Sequence, residues 1–96
     1  MAGSQMPEPL IPQSRLNVSQ AAGLHAALLA RKGQDLTVDM GGVTQLGALC
    51  LQVFIAAGKS ARAAGTALTF VNVPDRILDQ MKVMGLSPEA ISEGAE

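Results

Sequence analysis

Apolar residues recur along this chain at two alternating periods. In "DLTVDM", residues 35–40, Leu36, Val38 and Met40 alternate with Thr37 and Asp39, the two-residue period of a strand. "ALTFVNV", residues 67–73, is rich in β-branched residues and predicts another strand. "PLIPQSRL", residues 9–16, can supply a short one, which Pro9 and Pro12 confine to a sheet edge or a broken pairing. Elsewhere the helical period takes over. Ala21, Leu24 and Leu28 share one face of "VSQAAGLHAALLARKG", with Asn17 at the capping position, Arg31 and Lys32 suited to the C-terminal dipole, and Gly33 as the stop. After a turn at Gly41–Gly42, a second helix is expected from about Gly47 to Ala64, ended by Gly65. Pro74 and Asp75 open a third, "DRILDQMKVM", with Ile77, Leu78, Met81 and Met84 on one side and Asp75 as its cap. Gly85 followed by Leu86 predicts a Schellman ending, with glycine left-handed and leucine packed back.

Strands alternating with helices imply an α/β layer: a small mixed β-sheet of about four strands, helices mainly on one face. Connections through whole helices favour parallel neighbours with right-handed crossovers. Residues 1–8 read as a flexible leader, 9–90 as a single domain and 91–96 as an acidic tail, with at most one more turn of structure in "SPEAISEGAE".

Projection of the second helix separates a core side from an outer one. Cys50, Phe54, Ala57 and Ala61 fall inward, flanked by Val53 and Ala64, with Leu51 and Gly58 at the opposite border. Gln52, Lys59 and Ala63 point away, and Leu49 and Ala56 lie beside them. A solvated face ordinarily carries several charges. This one is mostly alanine with a leucine at its start, which suits either protein docking or an undistinguished alanine-rich helix.

Composition narrows the function. Hydrophobic residues make up 48% and charged residues 16%, which suits a packed domain, and with no Trp or Tyr and two Phe the core must be aliphatic. A net charge of -1 argues against a nucleic-acid partner and against an electrostatic membrane anchor. "MAGSQMPEPLIP" shows no signal peptide, and the longest apolar stretch, Leu46 to Gly58, is interrupted by Gln52 and falls short of the roughly 20 residues that span a bilayer. A cytoplasmic domain without direct membrane insertion is expected.

Candidate chemistry fails residue by residue. His25 is the sole histidine and has no cysteine or carboxylate at metal spacing. Cys50 projects into the core, where a thiol behaves as a small hydrophobe, and as the single cysteine it excludes an internal disulfide. Asp75 and Asp79 share a helical turn, but Arg76 and Lys82 stand near them. Gly41–Gly42 is not followed by the lysine and hydroxyl of a phosphate loop. No enzyme, metal or cofactor is indicated.

From Leu36 to Leu86 the layout resembles the STAS family, the anti-sigma factor antagonists and the related domain of sulfate transporters. The resemblance is carried by "DLTVDM", the link "GGVTQLGA", the helix "LCLQVFIAAGKSARAAG", the strand "TALTFVNV" and the closing "DQMKVMGL". It implies a protein switch: a partner kinase phosphorylates a Ser or Thr at the start of the second helix, and the dianionic phosphate ends the docking. Asp39 and Val43 match the family pattern. The family aspartate, however, falls on Gly47, the phospho-acceptor on Ala48, the next small residue on Leu49 and the glycine on Cys50. Thr44 is the nearest hydroxyl, four residues before Ala48.

The resemblance therefore implies a protein-binding regulator, with an anti-sigma-type kinase or a signalling complex, including one of chemotaxis, as partner. Docking would use Thr44, Gln45, Gly47, Ala48, Leu49, Gln52 and Ala56. The resemblance leaves a homodimer open, and its alternative is a STAS accessory subunit of a membrane lipid ABC transporter.

Overall fold

A computed structural model describes residues 8–93. Four short strands, β1 (Arg15–Leu16), β2 (Leu36–Asp39), β3 (Gln45–Leu46) and β4 (Leu68–Val71), are interleaved with four helices, α1 (Ala21–Leu29), α2 (Ala48–Ala64), α3 (Asp75–Val83) and α4 (Pro88–Ser92). A single 3-10 turn, Val18–Gln20, leads into α1, and the Asn17 side chain accepts from the Ser19 N–H to cap it.

Every strand pairing among the described residues is parallel: β1 with β3, and β2 with β4 in the register Leu36–Leu68 to Asp39–Val71. This is the sense that helical crossovers enforce, and within the small α/β fold expected from the sequence the strands pair as two short parallel ladders. The proline-rich first strand is split. Leu10 bridges to Val38 on the free edge of β2, and pairing resumes only at Arg15, beyond Pro12.

One core joins the ladders and the helices. Val38, Met40, Cys50, Phe54, Ile77 and Met81 are fully buried, and the Phe54 ring meets Phe70 edge to face with centroids 5.3 Å apart. The α2 and α3 helices both end as the sequence predicts. Gly65 and Gly85 take positive φ, and the Thr66 and Leu86 N–H groups reach back to the carbonyls of Ala61 and Met81 at 2.9 and 2.8 Å.

Three expectations need correction. Pro74, not Asp75, occupies the N-cap of α3, and Asp75 is its first helical residue. Met84 is largely exposed, because α3 ends at Val83 and Met84 has already left the helical face. Leu51 and Gly58, placed at a border, are buried, and at Gly58 the cover is α4, whose Ile91 backbone lies against it.

The structure also puts Ile91 in the core with no exposed surface, so the packed chain reaches at least this residue. Of the leader expected over 1–8, only Glu8 is described, and residues 94–96 of the tail lie outside the described residues. No described helix is long and apolar enough to cross a membrane.

Candidate docking surface at the start of the second helix

The link between β2 and α2 is fixed by short-range chemistry. Asp39 Oδ1 accepts from the Gly41 N–H at 2.9 Å and from Asn72 Nδ2 at 3.2 Å, which ties the exit of β2 to that of β4. Asn72 itself takes positive φ, a conformation that asparagine tolerates. Beyond Val43, which is buried, the Thr44 backbone N–H donates to the Ser14 carbonyl at 2.7 Å, and its hydroxyl donates to the same oxygen at 3.1 Å. Gln45 begins β3, and the next backbone N–H, of Leu46, donates to Gln80 Oε1 at 3.1 Å, which pins the strand to α3.

Gly47 is the N-cap of α2, with extended backbone and no side chain to bond the first-turn N–H groups. Its own N–H donates to the Leu16 carbonyl at 2.8 Å. That oxygen would lie 3.1 Å from a Cβ at residue 47, a tight approach for any larger residue. Ala48 opens the helix and is exposed, as are Gln52 and Ala56. Leu49 keeps 49% of its surface in solvent, although it is adjacent to fully buried Cys50.

The structure thus brings Leu49, Gln52 and Ala56 to one exposed stripe at helical spacing. Thr44, Gln45, Gly47 and Ala48 lie at its N-terminal end. Gly47 is half-buried, and the others are exposed.

Sequence reasoning overlooked the exposed Val18. The 3-10 turn packs against α2, Cys50 Sγ donates to the Asn17 carbonyl at 3.3 Å, and the neighbouring Val18 is left exposed. The available signal was an apolar residue next to a cap but off the Ala21–Leu24–Leu28 face.

Burial pushes the Cys50 thiol above its ordinary pKa, which keeps it protonated and unreactive. His25 is exposed on α1. Among the described residues no group of three His, Cys, Asp or Glu is placed to hold a metal ion.

The fold at this point is a parallel α/β core with an exposed helix start and an ordered link before it. A family model described as "Mlab, STAS domain" matches residues 13–90, most of the chain. The protein belongs to the STAS domain family. Neither the curated proteins nor the solved structures give a match to this chain.

Proposed function

We infer that this STAS domain is a small cytoplasmic protein-binding regulator, of the anti-sigma factor antagonist or chemotaxis-associated signalling type. Its partner is an anti-sigma-type kinase or a component of a signalling complex. The partner docks on Thr44, Gln45, Gly47, Ala48, Leu49, Gln52 and Ala56, and the contact is not switched by phosphate at the usual place. The domain acts by binding rather than by catalysis.

One observation carries this reading. Ala48, with no hydroxyl, opens α2 beside a half-exposed leucine, so the helix start offers contact area but no acceptor. Thr44, the nearest hydroxyl, already donates to the Ser14 carbonyl.

Leu49→Asp tests it. A carboxylate in the contact has to be desolvated, which costs on the order of 2 kcal/mol, and affinity for the kinase, measured by titration, is expected to fall by roughly thirtyfold. The melting temperature is expected to move little, because substitutions at exposed sites usually stay within about 0.5 kcal/mol. An unchanged affinity places the partner elsewhere. Mass spectrometry after incubation with the kinase is expected to find no phosphate on residues 42–53, and phosphate on Thr44 would overturn the unswitched reading.

The matching family description names Mlab, which favours one second reading, an accessory subunit of a membrane lipid ABC transporter. Co-purification separates the two: retention by the transporter's nucleotide-binding subunit, and not by an anti-sigma-type kinase, selects the second.

A further inference from the structure

A groove of about 250 Å³ opens between the end of α1 with the loop after it, the middle of α2 and the first residues of β2 and β4. Its floor is apolar, formed by buried Leu28, Leu36 and Leu68 with half-buried Val53 and Ala57. Leu29 stands at its rim and is 53% exposed. It follows Leu28 but lies off the face that α1 buries, so its exposure has no counterpart in the core packing.

The rim is electrically one-sided. The titratable residues lining the groove are His25, Arg31 and Lys32, with no carboxylate among them, although the whole chain has a net charge of -1. The nearest acid in sequence, Asp35, does not line the groove but is held beside it, its Oδ1 accepting from the Ala67 N–H at 2.9 Å, so Arg31 and Lys32 stand against one carboxylate. The Arg31 guanidinium donates to the Glu8 backbone carbonyl, which holds the arginine in place without neutralising it.

We propose that this groove is a second docking site, and that it takes an amphipathic, acidic segment of a partner protein. The apolar side chains of the segment would enter over Leu29 and Val53, and its carboxylates would meet Arg31 and Lys32. Charge complementarity selects the sign of the occupant. Size selects its class, because the volume lies below the roughly 300–1,000 Å³ of most small-molecule sites and suits a few side chains presented by a helix or strand. The groove meets the first stripe only at Ala56, which belongs to both, and Leu49 does not line it.

The test uses the full chain and two labelled helical peptides of about twelve residues, with identical leucines at helical spacing. One carries glutamate and the other lysine at the remaining positions, and binding is read by fluorescence anisotropy. The acidic peptide is expected to bind at least about tenfold more tightly than the basic one. Leu29→Glu and Lys32→Glu are each expected to weaken it by about tenfold, with unchanged circular dichroism melts, and Lys32→Glu to improve binding of the basic peptide. Leu49→Asp should leave both affinities as they are. Equal affinity for the two peptides, no binding of either, or indifference to Leu29→Glu overturns the proposal. So does a free chain that sediments as a dimer and becomes monomeric on Leu29→Glu, which makes a second copy the occupant. Methyl contacts between Met6 and Val53 in the NMR spectrum of the free chain overturn it as well, since the chain's own amino-terminal segment would then fill the groove.

Discussion

At Gly58 the backbone of α4 lies directly against α2. A Cβ built on it would lie 1.9 Å from the Ile91 carbonyl oxygen and 3.0 Å from the carbonyl carbon. Both are backbone atoms, so the clash cannot be relieved by rotating a side chain. Two effects oppose each other in Gly58→Ala. Alanine gains about 1 kcal/mol of helix propensity over glycine, while forcing α4 off α2 costs on the order of 1–3 kcal/mol in lost packing. The contact should win, because α4 also brings the fully buried Ile91 into the core. The expected outcome is a net loss of stability in urea titration, and a more stable Gly58→Ala protein would show that the helices do not approach this closely. The glycine was visible in the sequence as an interruption of α2, but periodicity alone put it at a border. Its reason is a backbone from another element, which a helical projection does not contain.

Elements long enough to show a period were legible, and the shortest ones were not. α2 was placed to within a residue at both ends, because many residues of alternating burial lie between a glycine start and a left-handed glycine stop. β3 has two residues and α4 five, too few for either period to show. β3 exists because Thr44, Gln45 and Gly47 find carbonyls of the β1 segment, and α4 because Ser87 caps it and Ile91 is buried. Exposure of Leu49, Gln52 and Ala56 could likewise be read from the projection. The exposure of the apolar Val18 could not, since it depends on how the 3-10 turn meets α2. α4 therefore belongs to the folded unit, although its sequence reads as the beginning of a tail. Ile91→Ala should cost about 2–5 kcal/mol, the range for a large residue truncated in a core, whereas a true tail residue would cost almost nothing. Ser87→Ala removes the hydroxyl that accepts from the Ala90 N–H at 3.1 Å and should cost about 1 kcal/mol. Both are read as shifts of the urea midpoint at constant slope.

At the scale of the whole molecule, Cys50 reports on folding and docking together. It is fully buried where α2, the 3-10 turn and β1 converge, and its thiol donates to the Asn17 carbonyl. Burial raises the pKa of the folded thiol above that of the unfolded one. Below the ordinary thiol pKa both states are protonated, and the contribution of Cys50 to stability is fully present. As pH rises past that value the unfolded chain ionises first, so the contribution is lost progressively towards the higher folded pKa. A Cys50→Ala protein should accordingly show a shallower alkaline decline in its melting temperature than the native chain. Because the thiolate is the reactive form and the native thiol is shielded, a thiol reagent should label Cys50 only through molecules that have opened. A partner bound at the start of α2 draws the population away from the open form by the factor one plus its concentration over Kd. At a partner concentration of about one hundred times the native Kd, labelling of Cys50 is expected to slow by roughly a hundredfold in the native chain, and by only about fourfold in Leu49→Asp, whose Kd is raised roughly thirtyfold. A labelling rate indifferent to saturating partner would mean either that Cys50 is reached without opening this region or that the partner docks away from α2. The rate in urea separates these two outcomes, because labelling through a large-scale opening must accelerate steeply with denaturant.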